Sequence, residues 1–272
     1  MSDRRKSPLL RLDPSLGRML TPSRRDEAIS ALSVSVARLR KGELHAGPAA
    51  AAPLGLLVIE GVVTRDVLMR GQASTELLGP GDVLRPWMTE PEPLLRRAVR
   101  WCVVDGASVA VLDRRFACEL GRWPEVNAVI MERLAERSER LATTQAILSL
   151  TGVDRRVLAF LWHLAERWGR MTPEGVHVPL TLSHRMLGQL VGARRPTVSA
   201  AVSTLADTGE LTRRADGSWL LPARELHAGD DRDVPHVTPR RHMISAPASR
   251  DAYEGAATTD QRCPSGSANV PV

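Results

Sequence analysis

Cysteine is scarce in this sequence: three residues in 272, at positions 102, 118 and 263, with no CxxC pair and no cysteine–histidine cluster. An odd, dispersed set excludes a disulfide framework and gives no support for a zinc or iron–sulfur site. Long apolar runs are missing as well. The longest, Ala49–Ile59, is interrupted by Pro53, and a bilayer-spanning helix needs ~20 apolar residues. The N-terminus, MSDRRKSP, is charged and has no apolar signal core, so the expected location is the cytoplasm, with no membrane partner. No phosphate loop, nucleophile elbow or paired carboxylates at useful spacing are present. No catalytic residue, metal site or cofactor is therefore expected, and an enzyme is the weakest reading. Lysine is nearly absent too. Only Lys6 and Lys41 occur, and arginine carries the rest of a net charge of +6. Arginine grips phosphate and guanine bidentately, which makes nucleic acid a reasonable partner. Arginine-biased coding with a solvated surface accounts for the charge equally well.

Prolines 8, 14 and 22 punctuate a polar opening, so residues 1–22 read as a flexible arm. Arg24–Leu39 offers a helical apolar stripe at Ala28, Ile29, Leu32 and Val36. From about Val34 to Leu112, short leucine and β-branched runs alternate with turn signals at Glu60-Gly61, Gly79-Pro80-Gly81-Asp82 and Asp105-Gly106. The runs are Leu54–Ile59, Gly61–Leu68, Thr75–Leu78, Val99–Val104 and Ala107–Leu112. That spacing predicts an antiparallel sandwich or roll. Trp123-Pro124-Glu125 then opens a long helix running to about Leu150 without Gly or Pro. Ile130, Leu134, Arg137, Leu141, Thr144 and Leu148 alternate at spacings of four and three, the seam of a two-stranded coiled coil. The same face would also suit a helix lying on its own sheet. A second helix is expected over Asp154–Gly169, and a short strand over Val176–Leu180. The tail, 223–272, is rich in Ala, Ser, Pro, Asp and Arg without periodicity and reads as disordered.

The chemistry is concentrated in Leu182–Leu211, LSHRMLGQLVGARRPTVSAAVSTLADTGEL. Ser183 is a suitable N-cap whose hydroxyl can also meet a phosphate. Leu187, Leu190 and Val191 form the inner face of a first helix, and Gly192 supplies the tight turn after it. Pro196 falls in the first turn of a second helix, which buries Val198, Val202 and Leu205 and stops at Gly209. This is a helix-turn-helix. Its second helix presents Arg194, Arg195, Thr197, Ser199 and Ser203, residue types that suit a helix entering the major groove. Thr212–Leu221 follows as a hairpin turning at Asp216-Gly217, with Arg213 and Arg214 placed as a wing contacts phosphate. Solvated arginines and glycine turns are common singly. Their joint order here is specific for DNA binding.

On these residues the sequence resembles the Crp/Fnr family of bacterial transcription regulators: LGQLVG, then ARRPTV, then LADTGEL. The resemblance extends over roughly residues 25–222, through LGLLVIEGVV, through ELLGPGDVL with its Gly81-Asp82 turn, and through the long helix from Pro124. It implies an α+β chain in five parts. The arm (1–22) precedes an antiparallel β-roll of the jelly-roll, cyclic-nucleotide-binding-like type (23–117). A dimerisation helix (118–150), a winged helix-turn-helix (151–222) and the disordered tail (223–272) follow. It also implies a homodimeric regulator on a near-palindromic site in double-stranded DNA, its recognition helices about 34 Å apart, with RNA polymerase as a further partner. Arg195 matches the family's leading recognition arginine, whereas Pro196 and Ala200 stand where a glutamate and a basic contact are usual. In the roll, Arg85-Pro86 replaces the family's Gly-Glu ribose acceptor, and Arg96-Arg97 aligns with its Arg-Ser phosphate pair. That pattern disfavours cyclic AMP. Arg85, Arg96 and Arg97 remain candidates for another small-anion effector, or pair with Glu90, Glu92 or water. His45 is a haem ligand only in the sense that any histidine is, and His163 is expected to pack in the core. The alternative function is thus a cyclic-nucleotide or small-anion sensor that controls DNA binding.

Overall fold

A computed structural model describes residues 6–44, 52–87 and 94–222 of the chain. His45, Glu90, Glu92, Cys263 and the tail 223–272 lie outside the described residues.

The N-terminal part is built on one antiparallel sheet. Strands β1 (Lys6–Pro8), β2 (Ser33–Leu39), β3 (Gly42–Glu43), β4 (Gly55–Met69), β5 (Gln72–Leu78), β6 (Val83–Leu84) and β7 (Ala98–Leu112) belong to it. Its main path runs β1-β2-β7-β4-β5, with β3 on β7 and β6 on β4. The expected turns at Glu60-Gly61 and Asp105-Gly106 do not end strands. β4 and β7 run on as 15-residue strands, and register shifts fall between Val58 and Glu60 and between Gly61 and Val63. At Gly61 φ is +89°, and a Cβ there would lie 2.2 Å from the Gly106 carbonyl oxygen. The glycine lets two strands bend while staying paired, which is how a bulge curves a sheet.

Residues 6–22 are not a loose arm. Helix α1 (Leu9–Leu12) and a 3-10 turn (Pro14–Gly17) follow β1. Leu9, Leu10 and Leu16 are buried with Leu57, Leu112, Phe116 and Val126 in the core under the roll. Three leucines among the polar residues suffice, because each finds an apolar partner far away in sequence. Helix α2 is shorter than the stripe suggested. It spans Pro22–Ala31, and Ser33–Leu39 is strand β2, paired on Val111 through Ala107 of β7. The run VSVARL has β-branched residues at alternate positions, and an open sheet edge captures it.

Helices α3 (Arg114–Leu120) and α4 (Pro124–Leu148) leave the roll. α4 is strapped to the N-terminal segment by Arg24–Glu125 at 2.9 Å, Arg133–Asp13 at 2.7 Å and an Arg18–Glu132 ion pair. Its exposed apolar stripe differs from the expected seam by half. Ile130 is buried under the roll, and Arg137 turns to Glu76 on β5 with bonds of 2.6 and 2.8 Å. Met131, Leu134 and Leu141 are exposed. The outward stripe is Asn127, Met131, Leu134, Ser138, Leu141, Gln145 and, partly covered, Leu148. It shares Leu134, Leu141 and Leu148 with the expected seam. Met131, Ser138 and Gln145 replace Ile130, Arg137 and Thr144, because the roll covers the side on which the latter lie.

The C-terminal part comprises α5 (Val153–Trp168), β8 (Arg170–Thr172), β9 (Gly175–Val178), α6 (His184–Val191), α7 (Arg195–Asp207), β10 (Thr212–Arg213) and β11 (Trp219–Pro222). The four strands pair in the order β10-β11-β9-β8. Trp219, Leu161, Leu182, Leu187 and Leu205 fill its core, to which Leu77 of β5 is added. The fold is α+β, as expected. Among the described residues no helix is long and apolar enough to cross a membrane.

Candidate nucleic-acid interface and pocket

The geometry of the helix-turn-helix follows from local punctuation. The Ser183 hydroxyl accepts the Met186 N–H at 3.1 Å and caps α6. Gly192 ends it in the left-handed region, with φ +64° and ψ +40°, a conformation that costs a residue with a Cβ about 1 kcal/mol or more. The chain turns there and restarts at Arg194, the N-cap of α7, with Pro196 in its first turn. Val198, Ala201, Val202 and Leu205 are buried, so Arg194, Arg195, Thr197 and Ser203 are left on the exposed side. The positive helix N-terminus carries two arginines and no acid in its first turn, an arrangement suited to anions.

Ser199 is placed differently from those four. It is half-buried, and its hydroxyl oxygen lies 2.9 Å from Nδ1 of His184 at the start of α6. Nε2 of His184 is buried and has no hydrogen-bond partner among the described residues. Burial, followed by the charges of Arg213 and Arg195, holds His184 below the ordinary histidine pKa. The His184–Ser199 contact joins the start of α6 to the first half of α7, with the ring donating or accepting according to its tautomer. The sequence pattern had no signal for His184, since the contact joins residues on two helices.

The wing hairpin is wider than a two-residue turn. Arg213 pairs with Trp219, the Arg214 N–H donates to the Ser218 carbonyl, and the Gly217 N–H donates to the Arg214 carbonyl, both at 2.9 Å. The loop is therefore Ala215-Asp216-Gly217. The Asp216 carboxylate accepts the Ser218 N–H at 2.9 Å, which stabilises the three-residue form. Arg213 is exposed and lies 5.3 Å over the ring of buried Trp219. Arg214 lies 3.5 Å from Glu174, both exposed.

The roll and α4 border a half-open pocket of about 700 Å³. Arg85 and Arg97 line it, and Arg96 does not. Arg65, Arg137 and Trp101 also line it, with Arg65 5.9 Å over the Trp101 ring. Those three come from β4, α4 and β7, so nothing local in the sequence grouped them. Leu54, Val83, Ile130, Met131 and Leu134 add an apolar wall.

A winged helix-turn-helix joined by a long helix to an antiparallel roll defines the class of this protein. Residues 155–226 match the Crp-like helix-turn-helix domain. The chain is 35% identical over 98 residues to a CRP-like cAMP-activated global transcriptional regulator of Mycobacterium tuberculosis, covering 36% of this chain and 43% of that one. The matched part is thus less than half the length of the curated relative. Among solved structures, FixK2 from Bradyrhizobium japonicum superposes with a TM-score of 0.54 at 21% identity, over 71% of this chain and 94% of that one. A cyclic nucleotide-binding domain containing protein from Listeria monocytogenes gives 0.59 at 16%, over 77% and 96%. Residues 155–226 are thus a Crp-like helix-turn-helix domain, and the described chain shares the fold of these solved structures.

Proposed function

We propose that this protein is a sequence-specific DNA-binding transcription regulator of the cytoplasm, acting as a homodimer on a near-palindromic site. The observation that carries this reading is α7, whose solvent face holds Arg194, Arg195, Thr197 and Ser203 at a helix N-terminus without acid. Arg195 is assigned to a base edge. Thr197 and Ser203 are assigned to base edges or phosphate, and Ser183, Arg194, Arg213 and Arg214 to the backbone. Ser199 acts from the flank, its hydroxyl held beside His184. The stripe Met131, Leu134, Leu141 and Leu148 supplies the dimer seam, its first three members exposed among the described residues. The experiment is selection of bound duplexes from a random pool. The expected result is an enriched two-half-site sequence, with log K falling by ~0.9 per neutralised phosphate as log salt rises. A pool without enrichment would refute sequence-specific binding.

A second reading adds an effector. Four arginines and a tryptophan around one cavity favour a small anion with an apolar or aromatic body. Arg85 and Arg97 would hold its charge, while Arg96, outside the cavity, would not. Cyclic AMP is named for the mycobacterial relative. It is not extended to this pocket, where Arg85-Pro86 stands in place of a ribose acceptor. Calorimetry with cyclic AMP and cyclic GMP tests this, and micromolar binding of either would overturn it.

A further inference from the structure

The carboxylate of Asp82, in the loop between β5 and β6, is shared by three parts of the chain. Oδ1 accepts a hydrogen bond from Arg140 Nη2 on α4 at 2.7 Å. Oδ2 accepts the Gly79 N–H at 2.9 Å and lies 2.7 Å from Arg167 Nη1 on α5. The Arg167 Nη1 contact is ionic and falls outside hydrogen-bond alignment. Arg167 Nη2 donates to the Pro80 carbonyl at 3.0 Å, and its guanidinium stacks 4.6 Å over Trp168. The Trp168 ring lies against the backbone of Gly79.

All three charged side chains are withdrawn from water, with exposures of 3% for Asp82, 19% for Arg167 and 26% for Arg140. Burial, offset in part by Asp82 and reinforced by Arg167, leaves Arg140 below the ordinary arginine pKa. A desolvated carboxylate between two guanidiniums tolerates few geometries, because moving any member leaves a buried charge uncompensated. The cluster is therefore a rigid joint, and the members it joins are the roll, the long helix and the first helix of the winged-helix part.

We infer that Asp82, Arg140 and Arg167 form a latch that fixes the orientation of the winged helix against the roll and α4. Its consequence for DNA rests on the dimeric DNA-binding reading. A dimer gains on two half-sites over one only when the second winged helix is held where the second groove lies, since effective concentration falls as the tether loosens. With the latch broken, the short connection 149–152 and the packing of Leu77 of β5 into the winged-helix core still join the parts, and the winged helix samples more orientations. A single half-site is read by one winged helix and does not depend on the latch.

Arg167→Gln in the full chain is the primary test, with Asp82→Asn as the second variant should the first fail to fold. Hydrogen exchange without DNA reads the latch itself. The amides of Gly79, Gly81 and Asp82 and those of 149–153 are expected to exchange faster, with α6, α7 and the centre of β4 unchanged. Unchanged exchange at the joint, or uniform acceleration everywhere, would overturn the inference. Fluorescence anisotropy then compares duplexes with one and two half-sites taken from the selected sequence. The variant is expected to lose ~10-fold or more on two half-sites and to stay within about twofold on one. Equal loss on both duplexes overturns the latch. A wild-type chain that ignores DNA refutes the DNA reading instead, and the exchange result still decides the latch.

Discussion

Replacing Leu134 and Leu141 together by alanine should convert the protein to monomers at concentrations where the wild type is dimeric. Leu134 retains 40% exposure and Leu141 44% within their own chain. Full burial of a leucine is worth about 1.5–3 kcal/mol, so covering the exposed two-fifths is worth about 1 kcal/mol per side chain. A twofold axis uses each residue twice, and the pair of substitutions therefore removes about 4 kcal/mol, or about a thousandfold in dimer dissociation constant. Sedimentation equilibrium over nanomolar to micromolar protein measures it. Arg137→Ala is the control. Arg137 sits at a seam position by sequence spacing, yet it binds Glu76 of its own roll. That substitution should lower the melting temperature and leave the dimer constant within about threefold. Dimerisation unaffected by the leucine pair, or weakened as much by Arg137→Ala, would refute the seam derived from the exposed stripe.

Arg195→Ala should relax base preference at one position in each half-site at a cost of about 1–3 kcal/mol. Arg213→Ala should instead weaken all duplexes alike and lower the salt slope by ~0.9. Selection and salt titration separate the two. Because His184 has a lowered pKa in the folded chain, the unfolded chain binds its proton first as pH falls. Stability should therefore drop through the ordinary histidine range and level off below the folded value. His184→Asn, which has no group that titrates in this range, should flatten that limb of a melting-temperature profile. At Asp13, burial raises the pKa, but the bonds from Arg133 and Ser15 outweigh it and the net shift is downward. Its contribution is present above the ordinary aspartate range and is lost as pH falls through the folded value. Arg133→Ala leaves that carboxylate unpaired and should cost about 3 kcal/mol in urea unfolding, exposing residues 6–22 to proteolysis.

What could be read in advance was what neighbours along the chain decide. The cap at Ser183, the turn at Gly192, Pro196 in the first turn of α7 and the alternation in β4 and β7 depend on residues within a few positions. Periodicity and turn chemistry report those directly. The segment Leu182–Leu211 accordingly folds as its sequence indicates. Leu9, Leu10 and Leu16 were legible only as apolar residues in a proline-rich stretch, since their partners Leu57, Leu112 and Val126 lie far along the chain. Ser33–Leu39 became a strand because β7 offered an open edge. Which face of α4 looks outward was likewise open. A heptad pattern states that apolar residues recur, and the roll covering Ile130 and drawing in Arg137 selects between two overlapping stripes. Asp82 was visible as half of a Gly-Asp turn. That its carboxylate holds Arg140 and Arg167 together was settled only in three dimensions, because Coulomb attraction and desolvation act through space and carry no trace of sequence separation.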